Sequence, residues 1–125
     1  MVSGTIYFKP GRDPRMTVTE DQRYAIEDRR LIAETADLRV QILTLAAGQE
    51  VPWHYHTAVT DSFICLEGPM VVQTRTGDAD HELRPGDSFA VAPKIAHRVA
   101  GKDGGGCRFV LVQGIGGYDF IPLES

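Results

Sequence analysis

Short runs of alternating apolar and polar residues recur along the chain, a pattern typical of β-strands that bury one face. The clearest run is 38–46, LRVQILTLA, in which Leu38, Val40 and Ile42 occupy every second position. Similar runs, most of them separated by turn residues, lie at 31–34, 61–66, 70–75, 81–83, 88–92, 97–100 and 107–113. Many short strands at close spacing predict an all-β fold, built as an antiparallel barrel or sandwich.

Local signals add detail to this prediction. The runs 61–66 and 70–75 lie on either side of a Gly-Pro turn and predict a β-hairpin. Residues 4–9 predict a short edge strand in an N-terminal arm, and residues 117–123 predict one more strand at the other end. The glycine run 104–106 precedes a strand rather than a helix, so it predicts a hairpin tip and not a phosphate site.

One segment, residues 19–29, favours a helix. Thr19 and Gln22 have the spacing of a capping box, and acidic residues occupy the first turn. Tyr24 and Ile26, however, also alternate as they would in a strand.

Length and composition limit the classes of protein to consider. The chain has 125 residues, which predicts a single domain over 1–125. Its 42% hydrophobic and 24% charged content is ordinary for a globular protein, and the absence of an apolar run of membrane-spanning length predicts no membrane association. The first fifteen residues lack the apolar core of a secretory signal, so we expect a cytoplasmic location.

Charge and cysteine content exclude further classes. The net charge is −4 with scattered basic residues, which argues against a nucleic-acid partner because phosphate binding needs clustered lysine and arginine. Cys65 and Cys107 each lie in an apolar run. We expect two buried thiols, although sequence alone leaves a Cys65–Cys107 bridge open.

Candidate chemistry concentrates around His54 and His56. Side chains alternate faces along a strand, so both imidazoles project from one side, roughly 7 Å apart. Trp53 and Tyr55 then face the other way, toward core or dimer packing. Asp61 follows at the start of the next strand, where its carboxylate is able to return to the same place. Imidazoles and a carboxylate together are typical transition-metal ligands.

The stretch containing these residues resembles cupin motif 1, G-x5-H-x-H-x4-E-x6-G. All spacings match, with Gly48, His54, His56, position 61 and Gly68 in register. Asp61 stands where the family usually has glutamate.

A second stretch is similar to cupin motif 2, G-x5-P-x-G-x2-H-x3-N, with Gly86 and His97 in register. Three positions depart from the motif: Ala92 replaces proline, Lys94 replaces glycine and Gly101 replaces asparagine. The resemblance covers about residues 38–113 and implies a double-stranded β-helix, the cupin jelly-roll barrel, with the short N-terminal arm outside it.

The resemblance implies one divalent transition metal (Fe, Mn, Ni, Cu or Zn) held by His54, His56, Asp61 and His97. Aspartate is one methylene shorter than glutamate, which leaves three roles open for Asp61. It binds the metal directly, acts through water or a ligand histidine, or stands free as a general base and catalytic residue. His81, beside a turn, is predicted to be a solvated hairpin residue outside the site.

The face that carries Asp61 also predicts the pocket lining. Period two places Phe63 on the inner face, and the last strong strand contributes either Phe109, Leu111 and Gln113 or the alternate set. We predict that Phe63, Phe109, Leu111 and Gln113 contact a small organic ligand in a mostly apolar pocket.

For function, the resemblance implies a dioxygenase-like oxidoreductase or a metal-assisted isomerase or lyase, and the apolar pocket favours oxidation. The alternative is a metal-containing binding or sensing module without turnover, since a fold does not fix function. Cupins often pair through outer strands, so we also expect a homodimer.

Overall fold

The computed structural model of the protein describes residues 24–124, and within this range the chain forms ten β-strands. In chain order they are β1 (Asp28–Glu34), β2 (Leu38–Leu45), β3 (Glu50–Tyr55), β4 (Thr60–Glu67), β5 (Met70–Thr74), β6 (Ala79–Leu83), β7 (Ser88–Val91), β8 (His97–Gly101), β9 (Cys107–Gly114) and β10 (Ile121–Pro122). A short 3-10 turn, Lys102–Gly104, follows β8. No helix in the described part of the chain is long and apolar enough to cross a membrane.

The strands form two five-stranded antiparallel sheets with the orders β1-β2-β9-β4-β7 and β10-β3-β8-β5-β6. From β2 onward the chain changes sheet at every connection except the one between β5 and β6. The sheets therefore wind around each other as a double-stranded β-helix, which confirms the predicted all-β jelly-roll class.

The core lies between the inner faces of the two sheets. Strand β9 alternates buried and half-buried positions along its whole length, as expected for a strand with one covered face. The main cluster of buried apolar side chains, contributed by both sheets, consists of Leu43, Leu45, Val51, Phe63, Cys65, Met70, Val72, Leu83, Val91, Val99, Cys107, Phe109 and Leu111.

The hairpin predicted around Gly68 is wrong. Strand β4 pairs with β7 and β9, whereas β5 pairs with β6 and β8 in the other sheet. The Gly-Pro connection therefore carries the chain between sheets. A Cβ atom on Gly68 would lie 2.8 Å from the Met70 nitrogen and 3.0 Å from Cys65 Sγ, so the crossing requires glycine. The segment 102–106 likewise joins two sheets and is not a hairpin tip.

The helix predicted over 19–29 is also wrong within the described residues. Residues 24–27 are not helical, and Asp28 and Arg29 begin β1. Arg29 lies opposite Leu43 in an antiparallel ladder with β2, and this pairing outweighs the weak local preference for a helix. Residues 19–23 and the edge strand predicted at 4–9 lie outside the described residues. At the other end, β10 confirms the predicted final strand.

Two departures from the second cupin motif have structural explanations. Lys94 has a φ of 71°, so this position keeps the left-handed backbone of the glycine that it replaces. A Cβ atom on Gly101 would lie 1.9 Å from the carbonyl oxygen of Gly105, so the chain path after β8 excludes the asparagine of the motif.

We predict that Gly101→Ala lowers the free energy of unfolding by about 1–3 kcal/mol, because the new methyl group overlaps backbone atoms that must move. Urea denaturation measures this change. Gly117→Ala is the matched control, since nothing lies within 4 Å of a Cβ atom there. An equal decrease in the free energy of unfolding in the two variants would contradict a destabilising effect of crowding at Gly101.

We predict that Lys94→Gly raises the free energy of unfolding by about 0.5–1 kcal/mol, because relief of the left-handed strain exceeds the entropy cost of glycine in the unfolded chain. Lys94→Ala, which keeps the strain and removes the side chain, should show no such gain. A Lys94→Gly variant less stable than wild type in the same urea titration would refute the prediction.

Candidate metal centre

Both sheets contribute to one polar cluster in the core. Strands β3 and β8 are neighbours, and His54 lies directly opposite His97 in their ladder. His56 follows the end of β3, while Asp61 lies near the start of β4 in the facing sheet. All four side chains predicted as metal ligands are buried, and one donor atom from each lies within 4.8 Å of the others.

A register shift in β3 directs the His54 side chain into the core. The register against β8 shifts between Val51 and His54, so these residues are both buried although they are three positions apart. Trp53 faces outward, where the guanidinium of Arg75 lies 4.2 Å from its ring centroid. Tyr55 is only half buried, so the predicted alternation of faces around the histidines is present.

The carboxylate of Asp61 lies at the centre of the cluster. Its Oδ2 atom is 2.8 Å from His56 Nε2, 2.9 Å from His97 Nε2 and 4.0 Å from His54 Nε2. The shorter aspartate side chain therefore does reach the imidazoles.

Hydrogen bonds on the far side of each ring fix the histidine tautomers. His54 Nδ1 donates to the Pro52 carbonyl at 2.7 Å, and His97 Nδ1 donates to the Ile95 carbonyl at 2.9 Å. His56 Nδ1 donates to the carbonyl of Asp119 at 2.5 Å. Because a carbonyl only accepts, the proton lies on Nδ1 in each neutral ring, and each Nε2 lone pair points into the cluster.

This arrangement requires a cation. Lone pairs on His56 and His97 and an ionised Asp61 oxygen, less than 3 Å apart, repel one another unless a proton or a metal ion lies between them. The separations of 2.8, 2.9 and 4.0 Å between Asp61 Oδ2 and the three Nε2 atoms are short enough that one metal ion could contact all four side chains.

The charges in the cluster are consistent with a site for a cation. Burial alone would raise the pKa of Asp61, but its close contacts with the His56 and His97 rings outweigh burial and hold that pKa well below its usual range. Burial, together with the neighbouring His97, lowers the pKa of His54 to about 3. Burial also acts to lower the pKa of His56, but the adjacent Asp61 carboxylate raises it above its usual value. The centre thus combines an ionised carboxylate with a neutral imidazole, both suited to metal binding.

A small cavity adjoins the cluster. It is narrow, with room for about one water molecule. The residues predicted to contact a ligand, Phe63, Phe109, Leu111 and Gln113, all line it. Of the two faces left open for β9, the structure therefore places Phe109, Leu111 and Gln113 inside.

The cavity also has lining residues that the sequence interpretation missed: Tyr24, Arg29, Gln41, Leu43, Val51, Val99, Tyr118 and Phe120. Phe120, from the C-terminal tail, stacks on His54 with ring centroids 4.4 Å apart. The alternation of Leu38, Val40 and Ile42 favoured the opposite face of β2, but the buried positions are Gln41, Leu43 and Leu45, so the sequence interpretation did not bring Gln41 into the core. No motif indicates the tail residues, since only the fold brings them to the site.

Asp119 anchors the C-terminal tail beside the cluster of candidate metal ligands. Its carboxylate accepts hydrogen bonds from Thr57 N at 2.8 Å and Thr57 Oγ1 at 2.6 Å, and its carbonyl accepts the bond from His56. The tail therefore holds the orientation of a candidate ligand.

Three other predictions concern residues outside the cluster. His81 is not simply solvated, because its ring stacks on Phe89 with centroids 4.0 Å apart. It does not belong to the cluster of candidate ligands. Cys65 and Cys107 are buried free thiols, as expected, and burial with the neighbouring Cys65 raises the pKa of Cys107 to about 12.

Comparison with known proteins supports the motif assignment. The sequence model of the Cupin_2 family, described as "Cupin domain", matches residues 41–113. No curated protein matches the chain.

Several solved structures share the fold. An uncharacterised double-stranded β-helix protein from Klebsiella pneumoniae is 22% identical, with a TM-score of 0.68 over 87% of this chain and 98% of its own. KdgF from a Halomonas species is 18% identical, with a TM-score of 0.63 over 71% of this chain and 78% of its own. An oxalate oxidase is 15% identical, with a TM-score of 0.59 over 70% of this chain and 46% of its own.

We predict that His56→Ala abolishes most metal binding, because it removes one of three converging Nε2 atoms. Elemental analysis of protein purified without chelator or affinity metal measures the metal content. His81→Ala, which changes a histidine outside the cluster, should retain the wild-type content. Equal metal content in the two variants would refute this ligand assignment.

Proposed function

The chain belongs to the Cupin_2 family, and from that premise we propose that it is a metal-dependent enzyme acting on a small organic molecule. The observation that carries the proposal is the convergence of three imidazole lone pairs on one ionised carboxylate in the core. Burying such a group without a cation is costly.

In this proposal His54, His56, Asp61 and His97 hold one divalent transition metal. Such a metal would supply Lewis acidity or redox chemistry to molecules bound at the coordination positions that the protein leaves open. The protein orients the ligand histidines through the carbonyls of Pro52, Ile95 and Asp119.

The state of Asp61 favours oxidation over an isomerase or lyase step. Among the described residues that line the cavity, Asp61 is the one carboxylate, and none is lysine. Its Oδ2 faces the imidazoles and its Oδ1 accepts a hydrogen bond from Gln113, so both oxygens already have partners, which disfavours a role as a free general base. We therefore assign Asp61 as a ligand rather than a free general base. The fold shared with an oxalate oxidase is compatible with this assignment.

The cavity wall favours a small and largely apolar substrate. Phe63, Phe109 and Leu111 present carbon surfaces, while Gln113 offers an amide beside the carboxylate. Their proposed role is to exclude water and to position the substrate against the open metal positions. Because the cavity is narrow, a second function is also compatible with it: a metal-containing binding module without turnover.

The test is oxygen uptake by protein loaded anaerobically with Fe²⁺, Mn²⁺, Ni²⁺ or Cu²⁺ and then exposed to a panel of small organic molecules. We expect uptake with matched loss of substrate in wild type and at least a 100-fold lower rate in His97→Ala, which lacks a ligand. The matched control is His81→Ala, which should retain the rate.

Other outcomes would separate the alternatives. Conversion of a substrate without oxygen uptake would replace oxidation with isomerase or lyase chemistry. A rise in melting temperature without conversion would favour the binding module. The homodimer and the cytoplasmic location expected from the sequence stay predictions.

A further inference from the structure

We propose that Gln113, Gln41 and Arg29 form a relay of hydrogen bonds that fixes Asp61 as a metal ligand through one oxygen, Oδ2. The proposal rests on the proposed metal binding and goes further, because it assigns positioning roles to three residues outside the ligand set.

The relay crosses the first sheet with one residue on each of four adjacent strands. Arg29 Nη1 donates to Gln41 Oε1 at 3.1 Å, and Gln41 Nε2 donates to Gln113 Oε1 at 3.0 Å. Gln113 Nε2 then donates to Asp61 Oδ1 at 3.0 Å. The strands are β1, β2, β9 and β4, whose order in the sheet is the order of the relay.

The two ends determine the direction of every bond. A guanidinium only donates hydrogen bonds and an ionised carboxylate only accepts them. Gln41 must therefore turn its oxygen to Arg29, and Gln113 must turn its oxygen to Gln41. Each amide has a single orientation, so the Gln113 NH2 group is always directed at Asp61.

Burial makes this orientation strict. Gln41 is 1% exposed and Gln113 is 3% exposed, so an unpaired amide group would have no water to bind. An amide left without its partner in the core costs far more than a surface amide does. The relay therefore has no low-energy alternative in which Gln113 releases Asp61.

For the proposed metal site, the consequence is that Asp61 offers only its Oδ2 atom to the metal. Gln113 lies directly opposite Asp61 in the β4–β9 ladder and occupies Oδ1. Only Oδ2 faces His56 and His97, so the ligand binds the metal through one atom and its carboxylate plane is fixed. Such partners of a ligand typically change metal affinity by about 10–100-fold.

The test compares Gln113→Met and Gln41→Met with wild type. Methionine fills nearly the same volume without the amide, so the core remains packed. We expect the dissociation constant for Zn²⁺, measured by competition with a chelator, to rise about 10–100-fold for Gln113→Met. Gln41→Met should give a rise in the same direction. Gln73→Met is the matched control, since Gln73 contacts Arg98 and Asp80 in the other sheet and should leave the affinity unchanged.

Two readouts distinguish the relay from a general packing role. If the links act in series, the loss in the double variant Gln41→Met, Gln113→Met is smaller than the sum of the single losses. The visible absorption spectrum of the Co²⁺ form should also change in Gln113→Met, because the freed Oδ1 alters the coordination. The melting temperature of the metal-free protein checks that each variant is folded.

The possible results distinguish failure of the metal site from failure of the relay. A wild-type protein that binds no Zn²⁺ overturns both the metal site and the relay. A wild-type protein that binds Zn²⁺ with unchanged affinity and spectrum in Gln113→Met overturns the relay alone. Fully additive losses would overturn the series arrangement.

Discussion

The structure depends on one electrostatic constraint, an ionised carboxylate held in the core against imidazole lone pairs. Asp61 is almost fully buried, and the two nearest rings, His56 and His97, donate from Nδ1 to backbone carbonyls on the side away from the carboxylate. A protein interior tolerates such a group only when a cation and several hydrogen bonds compensate the lost hydration. A metal ion or a proton shared with an imidazole supplies that cation, and the proposed metal would also be a source of chemistry.

The fold supplies that compensation from several directions. The backbone carbonyls of Pro52, Ile95 and Asp119 orient the rings, and Lys94 N donates to the His56 carbonyl at 2.7 Å, which joins the two motif-bearing segments. These contacts come from β3, from the connection between β7 and β8, and from the C-terminal tail. A change in the path of any of these segments would therefore disturb the cluster, which explains how the irregular strand β3 and the positive φ of Lys94 are maintained near the site.

The sequence was sufficient to predict the four clustered side chains, but not the strand pairings and cavity residues around them. Alternation around His54 and His56 and the motif spacing to His97 depend on local geometry, which a sequence expresses directly. The partners of β4 and β5 depend on which sheet each strand joins, and the Gly-Pro turn between them is compatible with either a hairpin or a crossing. The same limit applies to Gln41 and Phe120. Neither residue has a local sequence signal for the site, because only the packing of the two sheets and the tail brings it to the cluster of candidate ligands.

The replacement of the usual glutamate by Asp61 is the feature that connects the fold to the proposed chemistry. A shorter side chain leaves its carboxylate closer to its own strand, within reach of Gln113 on the neighbouring strand. That amide engages the oxygen that faces away from the imidazoles. In the proposed function the carboxylate is a metal ligand rather than a free base, and the chemistry would come from molecules bound at the metal. Oxidation of a small substrate satisfies that condition, whereas an isomerase would need a free base, and Asp61 is the one carboxylate of the described cavity wall.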